Sequence, residues 1–99
     1  MEIKKGVKLN GLRPEMLFAV MVADRIYSEN GIECVITSGT EGKHKRGSLH
    51  YVSLAIDLRT RDMTGKQKKA ITAKIKKKLG NSFDVFLEKD HIHIQFKPK

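Results

Sequence analysis

The chain reads as an α+β domain: a small, mostly antiparallel sheet with helices packed on one of its faces. Three observations predict this. Two segments carry apolar residues at helical spacing. Further segments alternate apolar and polar residues at the period of a half-buried strand. Their order along the chain is helix, strand, loop, strand, helix, hairpin, which suits helices laid over one side of an antiparallel sheet. At 99 residues the chain has room for one domain, so residues 1–99 are read as a single compact unit.

The first helix follows Asn10-Gly11, with Pro14 suited to its opening turn, where a missing N–H costs nothing. Met16, Ala19, Val20, Ala23, Ile26 and Tyr27 recur at helical spacing and are read as core, and Asn30-Gly31 ends the helix. Residues 32–37 (I-E-C-V-I-T) read as a strand, and Cys34 within it as a buried thiol. Residues 38–47 hold three glycines and little apolar content, which marks a loop. From 53 to 59, Leu54, Ile56 and Leu58 take one face of a strand while Ala55, Asp57 and Arg59 take the other. A lysine-rich helix spans residues 65–79 with a thin stripe of Ile71, Ile75 and Leu79 beside Ala70, and Gly80-Asn81 stops it. The chain finishes as a hairpin. Phe83, Val85 and Leu87 alternate with Asp84, Phe86 and Glu88; after a tight turn near Lys89-Asp90, Ile92, Ile94 and Phe96 alternate with His91, His93 and Gln95.

Composition narrows the function classes. No apolar run approaches the roughly 20 residues needed to cross a bilayer. The first residues, Met1-Glu2-Ile3-Lys4-Lys5-Gly6, lack the apolar stretch of a secretory signal, so synthesis in the cytoplasm is expected. One cysteine cannot close an internal disulfide. The net charge of +9 favours anionic partners, whether nucleic acid, anionic lipid or an acidic wall polymer. Seven lysines crowd between Lys66 and Lys78, and their plainest reading is a solvated outer helix face. Aromatic residues make up 6% of the chain and tryptophan is absent, so a stacking platform for single-stranded nucleic acid is not expected.

All four histidines fall in two short segments, His44-Lys-Arg-Gly-Ser-Leu-His50-Tyr-Val-Ser-Leu-Ala-Ile-Asp57 and Glu88-Lys-Asp-His91-Ile-His93. Residues two apart on a strand point the same way, so His91 and His93 share a face. Asp57 stands on the polar side of an otherwise apolar strand. If that strand neighbours the hairpin, Asp57 meets the histidines, and His50, on the loop entering the strand, can fold over them. Two imidazoles and a carboxylate plus a water is the open form of a catalytic zinc site, and a four-ligand structural site would normally need cysteines. Zinc so held lowers the pKa of its water to about 7 and polarises a carbonyl, while a neighbouring group moves protons. Glu88, Asp90, His91 and His44 are the candidates for that work. The plain alternative is a polar sheet face that happens to carry an H-x-H triplet.

Ser48-Leu-His50-Tyr-Val-Ser-Leu-Ala-Ile-Asp57 resembles the S-x-H-x-x-G-x-A-x-D signature of the hedgehog/D-Ala-D-Ala peptidase superfamily, and Glu88-Lys-Asp-His91-Ile-His93 resembles its second signature, H-x-H preceded by an acidic residue or histidine. The matching runs are residues 36–62 and 83–96, and the leading helix and Val35-Ile-Thr-Ser-Gly39 suit the same layout. The resemblance implies a hedgehog/DD-peptidase-like fold and a zinc ion held by His50, Asp57 and His93. It implies hydrolysis of peptide bonds, usually in the stem peptides of bacterial peptidoglycan, since members include D,D-carboxypeptidases, D-Ala-D-Ala dipeptidases, murein endopeptidases and phage endolysins. It implies Glu88, five residues before His93, as general base; in members whose acidic residue lies three before the ligand, that role falls to Asp90 if His93 binds and to Glu88 if His91 binds. His91 would steady the oxyanion or the water, and His44, six residues before His50, matches a further active-site histidine of hedgehog-like members.

Two departures from the family pattern stand out. The family's S-G-Y-R, whose arginine grips a substrate carboxylate, is here Ser38-Gly39-Thr40-Glu41, with Lys43 and Arg46 as candidate substitutes for that arginine. The glycine of H-x-x-G is Ser53. The expectation is a minimal, monomeric zinc peptidase core of carboxypeptidase or endopeptidase type, released to the cell wall in the manner of a phage endolysin, with an anionic wall polymer as a second partner. Two other classes are carried beside it: a zinc-containing domain that binds without hydrolysis, and a basic nucleic-acid-binding domain.

Overall fold

A computed structural model of the chain describes residues 1–40 and 54–97. The elements run β1 (Glu2–Ile3), α1 (Pro14–Glu29), β2 (Val35–Ser38), β3 (Ala55–Arg59), α2 (Gly65–Leu79), a single 3-10 turn (Gly80–Ser82), β4 (Phe83–Leu87) and β5 (His91–Phe96). The five strands form one mixed sheet in the order β1-β2-β3-β5-β4. Among the described residues only the β1–β2 pairing is parallel; β2–β3, β3–β5 and β5–β4 are antiparallel. The α+β class and the mostly antiparallel sheet are therefore as the sequence predicts.

Both helices lie on one face of the sheet. Met16, Ala19, Val20, Ala23, Ile26 and Tyr27 of α1 join Ile71, Ile75 and Leu79 of α2 in a single cluster with Ile36, Ile56, Leu58, Val85, Ile92 and Ile94. Ile56, Leu58, Ile92 and Ile94 are completely buried. Each contributes about 1.5–3 kcal/mol relative to an exposed position. Their burial fixes register, because a slip by one residue would turn this whole set outward. The residues between them, Asp57, His91 and His93, are thereby directed to the opposite face.

Local chemistry accounts for most boundaries. Pro14 opens α1 as expected, and the helix ends in a hydrogen-bond pattern that Gly31 makes possible. Gly31 takes φ +70°, its N–H donates to the Ser28 carbonyl and the Ile32 N–H donates to the Tyr27 carbonyl. That closing motif uses the backbone of Ile32, so β2 begins at Val35 and not at Ile32. Helix α2 spans Gly65–Leu79, the range its sequence predicts, and starts with a reciprocal cap: Thr64 Oγ1 accepts from the Gln67 N–H and Gln67 Oε1 accepts from the Thr64 N–H. Lys76, Lys77 and Lys78 occupy its last turn, where the helix dipole favours positive charge. Ala70 is exposed, a correction to the expected stripe; the buried positions are four apart, and Ala70 falls outside that line.

Strand β1 was not anticipated. It is held by the Glu2 N–H to the Cys34 carbonyl at 2.8 Å and the Lys4 N–H to the Ile36 carbonyl at 3.0 Å, with both of its side chains exposed. Cys34 is buried as expected, and burial, with a smaller contribution from the Asp24 charge, pushes its thiol up to about 12. Among the described residues no helix is long and apolar enough to cross a membrane.

Candidate metal centre

The central strand β3 and the hairpin β4–β5 bring the sequence-predicted residues to the outer sheet face. The β3–β5 register opposes Asp57 to His93 and Arg59 to His91, and the β4–β5 register opposes Phe86 to His93. His93 is thus flanked by a carboxylate on one side and an aromatic ring on the other. Its Nδ1 lies 2.8 Å from Asp57 Oδ1 and its Nε2 lies 2.8 Å from Gln95 Oε1. The Phe86 ring stacks on the imidazole, with centroids 6.2 Å apart and planes at 21°.

His91 approaches the same oxygen. Its Nε2 stands 3.8 Å from Asp57 Oδ1, too far for a hydrogen bond, while its Nδ1 contacts Asp90 Oδ1 at 2.8 Å. Asp57 Oδ1 is therefore the point on which both hairpin histidines converge. The Asp57 and His93 side chains each keep 18% of their surface exposed, so the site opens to solvent on the face away from the helices.

Electrostatics follow the contacts. The His93 imidazole is held above its usual pKa, first by its hydrogen bond to Asp57, against an opposing desolvation effect, and further by Gln95 and by the charges of Asp57 and Glu88. Both ring nitrogens face acceptor oxygens, which favours the doubly protonated ring. The Asp90 carboxyl is held below its usual range by the hydrogen bond with His91.

Glu88 lies exposed in the β4–β5 connection, where its N–H donates to the His91 carbonyl at 2.9 Å. Among the described residues its carboxylate makes no hydrogen bond or ion pair with Asp57, His91 or His93, and it acts on His93 through its field. His44, His50, Lys43, Arg46 and Ser53 lie outside the described residues. Thus Asp57, His91, His93 and Asp90 come together, Glu88 stands nearby, and two of the expected residues, His44 and His50, are not described.

The donor set suits zinc. Oxygen and nitrogen ligands of a tetrahedral zinc ion stand about 3.3 Å apart, so the Asp57–His93 pair needs to open by only about half an ångström to share one. Among the described residues alone, no three His, Cys, Asp or Glu side chains form a group able to hold a metal ion. The third ligand that the resemblance names, His50, lies beyond them.

Two further participants escaped the sequence reading. Gln95 and Asp84 are cross-strand partners beside His93, and Gln95 Nε2 donates to Asp84 Oδ2 at 3.3 Å. Gln95 shares a strand face with His93, but its pairing with Asp84 follows from the hairpin register, which no local pattern gives. Comparison with known proteins adds nothing to this geometry: no protein-family model matches the chain, and no curated protein matches it.

Proposed function

We propose that this chain is a zinc-dependent peptidase of the hedgehog/D-Ala-D-Ala peptidase type that hydrolyses peptide bonds in peptidoglycan stem peptides. The observation that carries the reading is the in-register meeting of Asp57 with His93, since these two residues come from the two separate signature segments. His50, Asp57 and His93 would hold the ion. When bound there, zinc supplies polarisation of the scissile carbonyl and a water of lowered pKa.

The chain's own residues handle protons and orientation. Glu88 takes the proton from the attacking water as the oxygen joins the carbonyl carbon, and returns it to the amine nitrogen as the carbon–nitrogen bond breaks. His91, with Nδ1–H donated to Asp90, turns Nε2 toward Asp57, where the bare nitrogen accepts from the water and, in a ring protonated on both nitrogens, Nε2–H donates to the developing oxyanion. An extended peptide would lie along the solvent-open sheet face. The net charge of +9 draws the domain to an anionic wall, where a monomer reaching its substrate by release, as a phage endolysin does, would act.

Digestion of purified muropeptides with zinc present tests this. Cleavage that is lost in Glu88→Gln and in His50→Ala supports it; cleavage that survives His50→Ala contradicts it. A second reading, a zinc-holding domain that binds without hydrolysis, is favoured by one observation: the Glu88 carboxylate makes no hydrogen bond or ion pair with Asp57, His91 or His93 among the described residues. It predicts stoichiometric zinc and no product.

A further inference from the structure

Asp84, Gln95 and His93 form a hydrogen-bonded line across β4 and β5 that ends on the imidazole facing Asp57. Lys97 Nζ lies 3.3 Å from Asp84 Oδ1 and steadies that carboxylate, leaving Oδ2 to accept from Gln95 Nε2 at 3.3 Å. Gln95 Oε1 then lies 2.8 Å from His93 Nε2. A glutamine amide can offer a neighbour either its oxygen or its NH2 group. Asp84 removes the choice, because an ionised carboxylate only accepts and so takes the NH2 side. The oxygen left for His93 also only accepts, so His93 Nε2 must carry a hydrogen. Nδ1 is the nitrogen left for whatever lies on the Asp57 side.

We infer that Asp84 and Gln95 are positioning residues that commit His93 to hold a metal ion through Nδ1, with Nε2–H anchored on Gln95 Oε1. This rests on the zinc reading above and extends it to the liganding atom and to the groups that orient it. A half-turn of the ring would put Cδ2 where Nδ1 stands and Cε1 where Nε2 stands, and the loss of the Asp57 and Gln95 contacts together with the stacked Phe86 opposes that turn. An outer hydrogen-bond acceptor also raises the basicity of the liganding nitrogen.

The test uses the full chain labelled with nitrogen-15 at histidine and titrated with Zn2+. The expected spectrum shows the His93 Nδ1 resonance shifting on zinc addition while Nε2 keeps a slowly exchanging proton. Competition with a chromophoric chelator measures affinity alongside. Gln95→Leu is expected to bind zinc about 10- to 100-fold more weakly. The paired exchange Asp84→Asn with Gln95→Glu keeps an acceptor on Nε2 and a donor facing residue 95, and is expected to restore wild-type affinity. Zinc bound through Nε2, or a folded Gln95→Leu that binds as tightly as wild type, overturns the inference while leaving the zinc reading standing. Wild-type protein that takes up no zinc overturns both. If Gln95→Leu fails to fold, the wild-type spectrum alone decides which nitrogen is bound.

Discussion

Asp57 and His93 face each other across β3 and β5 in direct register, with Oδ1 and Nδ1 2.8 Å apart, although 36 residues separate them in sequence. Burial of Ile56, Leu58, Ile92 and Ile94 on the helix side sets that register, so the site is a consequence of the core. The chemistry on the outer face is only as well placed as the packing behind it.

That dependence is measurable. Leu58→Ala removes a fully buried side chain next to Asp57 and is expected to cost about 2–5 kcal/mol. Urea unfolding gives the number. A cost under about 1 kcal/mol would mean that Leu58 is not part of a close-packed core.

The metal-free protein should show a pH-dependent stabilisation from the Asp57–His93 pair. Since the folded His93 pKa is raised, the contribution is fully present below the unfolded histidine value of about 6.5 and is lost as pH rises through the folded value. The stability difference between wild type and Asp57→Asn, measured by denaturant unfolding from pH 5 to 9, is therefore expected to shrink with rising pH. A difference that grows with pH would show that His93 is not the group gaining a proton in the fold.

Thr60, just past the end of β3, is completely buried, and its Oγ1 has no hydrogen-bond partner among the described residues. An unsatisfied buried hydroxyl is costly, so Thr60→Val is expected to raise stability by about 1 kcal/mol. A loss of stability of that size in thermal unfolding would reveal a bond to the hydroxyl.

The reciprocal cap at the start of α2 should matter to stability and not to the site, which lies on the other face of the sheet. Thr64→Ala is expected to cost about 0.5–2 kcal/mol while leaving zinc affinity unchanged. Weakened zinc uptake by folded Thr64→Ala would contradict the separation of the two faces.

Much of this arrangement could be read from the residues. Alternation in β3 and β5 placed Asp57, His91 and His93 on one face, and the stop signal at Gly80-Asn81 bounded the end of α2. Other parts lacked any local signal. Strand β1 is two residues of backbone pairing with exposed side chains, so no periodicity marks it. The start of β2 depends on Ile32 being spent on the end of α1, which a run of apolar residues cannot reveal. The roles of Gln95 and Asp84 depend on cross-strand register, and register emerges only once the hairpin is closed.

Asp57 and His93, with His50, are proposed to hold one zinc ion. An anomalous-difference map recorded at the zinc absorption edge, on crystals grown with Zn2+, tests it most directly. A single strong peak within bonding distance of Asp57, His93 Nδ1 and His50 is expected. A map with no peak beside Asp57, or with zinc bound only elsewhere on the surface, would contradict it.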